Sequence, residues 1–111
     1  METIKFLKDK YSKARGGNSE FLSISCAQCG GGILTYQKDG PGDLIRMYID
    51  RIKLPEELAQ SLANITEKKE LKNLSCNICG NIIGIPMTYE KESRLAYRVV
   101  LGSISKTKKK Y

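Results

Sequence analysis

Two short runs of the chain share one pattern, Cys26-Ala-Gln-Cys29-Gly30 and Cys76-Asn-Ile-Cys79-Gly80, and they limit what the chain can fold into more than any other feature. Two cysteines separated by two residues wrap a tight turn that directs both sulfurs at one ion, while nearby backbone N–H groups offset the thiolate charge. The glycine after the second cysteine lets the backbone leave the turn at positive φ. All four cysteines of the chain are used in this way. The two turns therefore read as halves of one tetrahedral site, with Cys26, Cys29, Cys76 and Cys79 holding one structural zinc ion; iron is the alternative metal.

Two other uses of four cysteines are open at this point. They could pair as two disulfides, but residues 1–10 contain no apolar run of signal-peptide length, so a reducing, cytoplasmic setting is the expectation. They could form redox dithiols, but neither turn is followed by the helical pattern that a thioredoxin-type site needs.

The paired CxxCG turns are similar to those of zinc-ribbon proteins and related β proteins that hold zinc between two cysteine knuckles. Residues 30–75 put 46 residues between Cys29 and Cys76, which is long for a minimal ribbon. In this the chain resembles the β-tent group, to which B-type methionine sulfoxide reductases and cereblon-like ligand-binding domains belong. That resemblance implies two small antiparallel sheets of three strands each, pinned at one apex by zinc. Rubredoxins also carry two CxxCG turns, around iron, but are shorter and rich in aromatic residues about the metal; this chain has no Trp and 2 Phe.

Read in order, residues 3–14 space Ile4, Leu7, Tyr11 and Ala14 as one helical stripe, and Gly16-Gly17-Asn18-Ser19 ends it. Residues 21–25 and 32–37 alternate as strands into and out of the first cysteine turn. Lys38-Asp39-Gly40-Pro41-Gly42 is a run of turn formers, with an anion-binding loop as its functional alternative. Residues 43–52 read as a third strand, with Ile45, Met47 and Ile49 on one face and Arg46, Tyr48 and Asp50 on the other. Pro55 to Ala63 starts with proline and two acids and spaces Leu58 and Leu62 four apart, a short inserted helix. Residues 71–75 and 82–89 flank the second cysteine turn, with Ile83, Ile85, Met87 and Tyr89 inward and Pro86 marking an edge. Residues 94–101 form the last strand, with Leu95, Tyr97, Val99 and Leu101 inside and Arg94 and Arg98 outside. The predicted fold is mostly β, with one or two short helices. Its parts are an N-terminal amphipathic helix and linker at 1–19, a zinc-binding β domain at 20–105 and a basic tail at 106–111, whose removal is expected to leave folding intact.

The net charge of +7 resides at the two ends: residues 1–15 contribute +3 and residues 106–111 contribute +4, so that 16–105 balances at zero. With no His in the chain, and with every thiol assigned to a closed metal site, no imidazole base, open zinc position or reactive cysteine remains for catalysis. The reductase activity of tent-fold relatives is thereby not supported, and no Trp is present for an aromatic ligand cage. The expected function is a zinc-stabilised, non-enzymatic binding module. RNA or single-stranded DNA is the first partner class, through Arg46, Tyr48 and Arg51 in the domain and Lys106, Lys108, Lys109 and Lys110 in the tail. The alternative is a protein-interaction or adaptor domain using exposed strand edges or the 53–72 insertion. An iron-bearing electron carrier is a third reading. No apolar run approaches the length of a membrane span.

Overall fold

The computed structural model describes residues 5–109. Its strands form two four-stranded antiparallel sheets. In the first sheet the neighbours run β4-β2-β1-β8, where β1 is Ser19–Cys26, β2 Gly32–Asp39, β4 Ile52–Leu54 and β8 Ile104–Lys109. In the second they run β3-β7-β6-β5, where β3 is Arg46–Tyr48, β5 Leu74–Ser75, β6 Ile82–Tyr89 and β7 Arg94–Val99. Alternation decides what lies between them. Leu22 and Ile24 of β1 sit opposite Tyr36 and Leu34 of β2, and all four join Met47, Ile52, Leu74, Ile83 and Tyr97 in one buried cluster. A buried hydrogen bond links the sheets, the Tyr48 N–H donating to Tyr36 Oη at 2.8 Å.

Six strands were expected and eight are present among the described residues. Residues 43–52 do not make one strand: β3 ends at Tyr48, the 3-10 turn Ile49–Arg51 redirects the chain, and β4 then pairs with β2. The segment thus passes from one sheet to the other. Met47 is wholly buried as the pattern predicts, but Ile45, placed on the same face in the sequence reading, is 58% exposed because it precedes the strand. The eighth strand is the larger correction. Residues 106–109 of the segment taken for a basic tail pair with Phe21–Ile24 of β1, so the boundary drawn at 105/106 falls inside a strand; Lys110 lies outside the described residues. A run of lysines hides a strand well, because an edge strand with both faces in water needs no apolar alternation.

The first helix is also shorter than its stripe predicts. The helix α1 spans Lys10–Ala14, and Asp9 sets its start by accepting the N–H groups of Tyr11 and Ser12, with Ser12 Oγ accepting the Asp9 N–H in return. Ile4 lies outside the described residues. Residues 5–8 instead cross the outer face of the first sheet, where Phe6 stacks on Phe21 at 4.2 Å and Leu7 exchanges two hydrogen bonds with the Gln37 side chain. The inserted helix α2, Glu56–Ala63, lies where the sequence put it, with Glu56 and Glu57 in its first turn and Leu62 buried. On β6 and β7, Ile83 and Tyr97 are buried as expected, while Ile85 is 37% and Leu101 100% exposed. Arg94, expected outside, is buried, and its planar group lies over the rings of Tyr11 and Tyr48. No helix among the described residues is long and apolar enough to cross a membrane.

Candidate metal centre

Each cysteine turn is the tip of a hairpin, β1 to β2 in one sheet and β5 to β6 in the other, and the two tips meet. They are built alike. The Gly30 N–H donates to Cys26 O and the Gly80 N–H to Cys76 O; the Cys26 N–H donates to Gly31 O and the Cys76 N–H to Asn81 O. Gly30 and Gly80 have φ of 78° and 80°, the left-handed conformation that closes each turn and that side chains disfavour. A register shift follows Ile24 in one hairpin and Leu74 in the other, so the strand slips at the same point before each cysteine pair.

The result is a tight cluster of four sulfurs, all within 4.8 Å of one another. Cys26 Sγ lies 3.6 Å from Cys79 Sγ, and Cys29 Sγ lies 3.6 Å from Cys76 Sγ, each contact crossing from one turn to the other. An ion about 2.3 Å from four thiolates at tetrahedral corners spaces them by about 3.8 Å, so the donor set fits one metal ion. No disulfide joins them. The first cysteine of each turn is buried and the second exposed, so the site has a protein side and a solvent side.

The electrostatics of the bare thiols favour a cation among them. The backbone N–H of Cys29, followed by that of Gln28, holds the Cys26 thiol down at about 6. The N–H of Asn81 favours the Cys79 thiolate, but desolvation and the other three sulfurs outweigh it and push that thiol up to about 12. Four thiolates at this separation cannot all ionise without positive charge between them. Further donors point at the sulfurs, Gly31 N–H at 3.4 Å from Cys29 Sγ and Asn81 Nδ2 at 3.7 Å from Cys26 Sγ. With four protein ligands the ion would have no open position for a substrate.

The residues expected to meet nucleic acid are dispersed. Arg51 has no exposed surface; its guanidinium donates to Asp9, Asp39 and Asp50 at 2.7, 2.8 and 3.3 Å, and those three carboxylates occupy it. Tyr48 is buried, its Oη accepting from Arg15 Nη2 and Arg46 Nε, and it offers no open ring for a base. Arg46 is half-buried over the Tyr89 ring at 4.2 Å. Lys106, Lys108 and Lys109 are exposed along β8, and Lys108 makes a surface pair with Glu20 at 3.4 Å.

Sequence reasoning passed over Arg98. It stands directly opposite Arg46 in the β3–β7 register, and neither has a carboxylate partner among the described residues. Like charges opposed across a strand pair repel each other. Only the register could have revealed this, because 52 positions separate the two arginines in the chain.

Fold and site together define a mostly β protein of two small antiparallel sheets whose hairpin tips converge on a four-cysteine site for one structural metal ion. Compared with protein-family models, curated proteins and solved structures, the chain matches none of them.

Proposed function

We propose that the chain is a zinc-stabilised, non-enzymatic binding module of β-tent type that engages single-stranded nucleic acid along the free edge of β8. Zinc is the ion favoured by a closed, all-thiolate tetrahedral set in which nothing else is arranged around the metal for electron transfer. The reading carries with it a reducing compartment such as the cytoplasm, where thiols stay free to bind metal.

One observation supports the partner class above the rest: the lysines that look like tail in the sequence are fixed on a strand. Lys106 of β8 and Arg98 of β7 line the same groove of about 550 Å³ between the two sheets, whose apolar lining includes Leu44, Val99 and Ile104. Lys108 and Lys109 continue the positive edge. Cations along a groove with an apolar lining suit a flexible chain of phosphates and bases, with the phosphates supplying most of the affinity.

The experiment is binding of a mixed single-stranded RNA and DNA pool to the metal-loaded protein at low and moderate salt. Binding that weakens steeply with salt, and that Arg98→Glu and Lys106→Glu reduce with the metal retained, is the expected result. No binding at low salt overturns the nucleic-acid reading. The second reading is a protein partner, favoured by Ile45 and Leu101, which are 58% and 100% exposed at the rim of the same groove. That interaction would be insensitive to salt and lost in Leu101→Asp.

A further inference from the structure

The loop Gly40-Pro41-Gly42, after β2, borders a second cavity of about 240 Å³, which shares Asp43, Leu44 and Ile45 with the groove. Its lining brings together Arg15, Lys38, Arg46 and Tyr48, with Asp39 and Asp43. We propose that this cavity is a binding site for a small tetrahedral oxyanion, inorganic phosphate or a phosphate monoester, held by Lys38, Arg46 and Tyr48.

The argument is an imbalance between donors and acceptors. Lys38 is only 8% exposed, and its Nζ donates to Gly40 O at 2.6 Å, using one of three protons. No carboxylate lies within ion-pair distance of it among the described residues. Arg46 spends its Nε on Tyr48 Oη at 3.3 Å and its planar face on the Tyr89 ring, which leaves both terminal nitrogens of the guanidinium without an acceptor among the described residues. Tyr48 Oη accepts from Arg15 and Arg46, so its own proton is free to be given. Three donor groups therefore surround one small space.

The acceptors that line it do not answer them. Asp39 is taken up by Ser19, Gln37 and Arg51. Arg15, by contrast, is already answered by Glu92 at 2.9 Å and contributes position rather than spare charge. Asp43 is exposed on the loop and makes no side-chain hydrogen bond or ion pair among the described residues, so it stands at the rim. Burying a cation without a counter-charge is costly, and buried charges are normally paired. A bound oxyanion would complete the pairing: the arginine fork can give two parallel hydrogen bonds to it, and the lysine and the phenol add donors from other elements. Gly40 and Gly42 take φ of 76° and 103°, a conformation that disfavours side chains, so glycine at both positions leaves this loop bare.

This site does not depend on the nucleic-acid reading, because it shares no cation with the Arg98 and Lys106 groove. The test is a titration of the ¹⁵N-labelled, metal-loaded full chain with inorganic phosphate at constant ionic strength, with chloride and acetate as controls and a nucleoside monophosphate as a further arm. Saturable shifts of the Gly40, Gly42 and Asp43 amides and of the Arg46 Nε–H are expected with phosphate. Arg46→Gln and Lys38→Met should each weaken binding about tenfold or more, as loss of a charged hydrogen bond implies, while the amides of the cysteine turns stay unchanged. If Lys38→Met does not fold, the half-buried Arg46→Gln decides alone. Tighter binding of the monophosphate than of phosphate identifies an esterified ligand; equal binding identifies the free ion. Shifts that fail to saturate, that acetate reproduces, that persist in Arg46→Gln, or that map to Lys106–Lys109 instead would overturn the site.

Discussion

A guanidinium with no exposed surface, held by three carboxylates, makes Arg51 the residue on which the N-terminal segment, the 3-10 turn and β2 converge. Replacing it with Met should cost about 3–5 kcal/mol in urea denaturation, because Asp39, at 4% side-chain exposure, would keep a buried charge without its partner. The same cluster gives a pH dependence. Partial burial works against ionisation of Asp9, but the Arg51 hydrogen bond and the N–H groups of Ser12 and Tyr11 prevail and hold its carboxyl at about 2 against an ordinary value of 3.8. A carboxyl depressed in the folded state contributes stability that is complete above about pH 4 and is lost as pH falls from there towards about 2. Asp9→Asn should flatten that part of the stability profile, and an unchanged acid limb would show that Asp9 contributes nothing. At the cysteine turns, Cys26→Ser should abolish stoichiometric metal binding and cooperative unfolding, read by metal analysis and by melting. Cys79→Ser should do the same, since each sulfur lies 3.6 Å from a sulfur of the opposite turn. The four ligands were legible from spacing alone. The fate of Arg51 was not, because a pattern of cations and aromatics reads the same whether the arginine faces water or three carboxylates from distant parts of the chain.

Among the elements, β8 most changes what is expected of a truncation. Sequence composition made removal of 106–111 harmless; pairing of Lys106–Lys109 with Phe21–Ile24 makes it a loss of ladder hydrogen bonds and a newly bared edge on β1. A cost of about 1–3 kcal/mol is expected, at roughly 0.5–1.5 kcal/mol for each net hydrogen bond, and an unchanged urea midpoint would show that the strand is not held. On β6, Gly84 lies so close to β7 and β5 that an added Cβ would come within 2.9 Å of Tyr97 Cβ and 3.3 Å of Leu74 Cβ. Neither is the free end of a side chain, so Gly84→Ala should destabilise by about 1–3 kcal/mol. A glycine inside an otherwise apolar strand is a sign of close backbone approach, and that signal was present in the sequence and not used. Where local chemistry fixes an element, reading was reliable: the proline before α2 and the paired acids in its first turn mark its start. Where an element depends on a partner strand, as β8 does, or on a cap, as the start of α1 at Asp9 does, the apolar pattern was silent or misleading.

Taken whole, the molecule joins its sheets in two ways, through the shared core and through the four cysteines that meet at the hairpin tips. Withdrawing the ion with a strong chelator should therefore remove the cooperative melt rather than shift it slightly, and restoring one equivalent should return it. The two-sheet plan followed from the resemblance that the repeated cysteine turn carries, but the assignment of strands to sheets did not, since nothing local states that β3, early in the chain, joins the second sheet while β8 returns to the first. That interleaving has a consequence for how the protein is made. As the chain leaves the ribosome, the β1–β2 hairpin is available early but gains its outer neighbour only after residue 109 has been synthesised, and half of the metal ligands arrive only with Cys79. Neither sheet can be completed from one half of the chain, so folding and metal loading must wait until translation of this region is nearly finished, and the early hairpin spends that interval with its first pair of thiols unmetallated or held by a borrowed ligand.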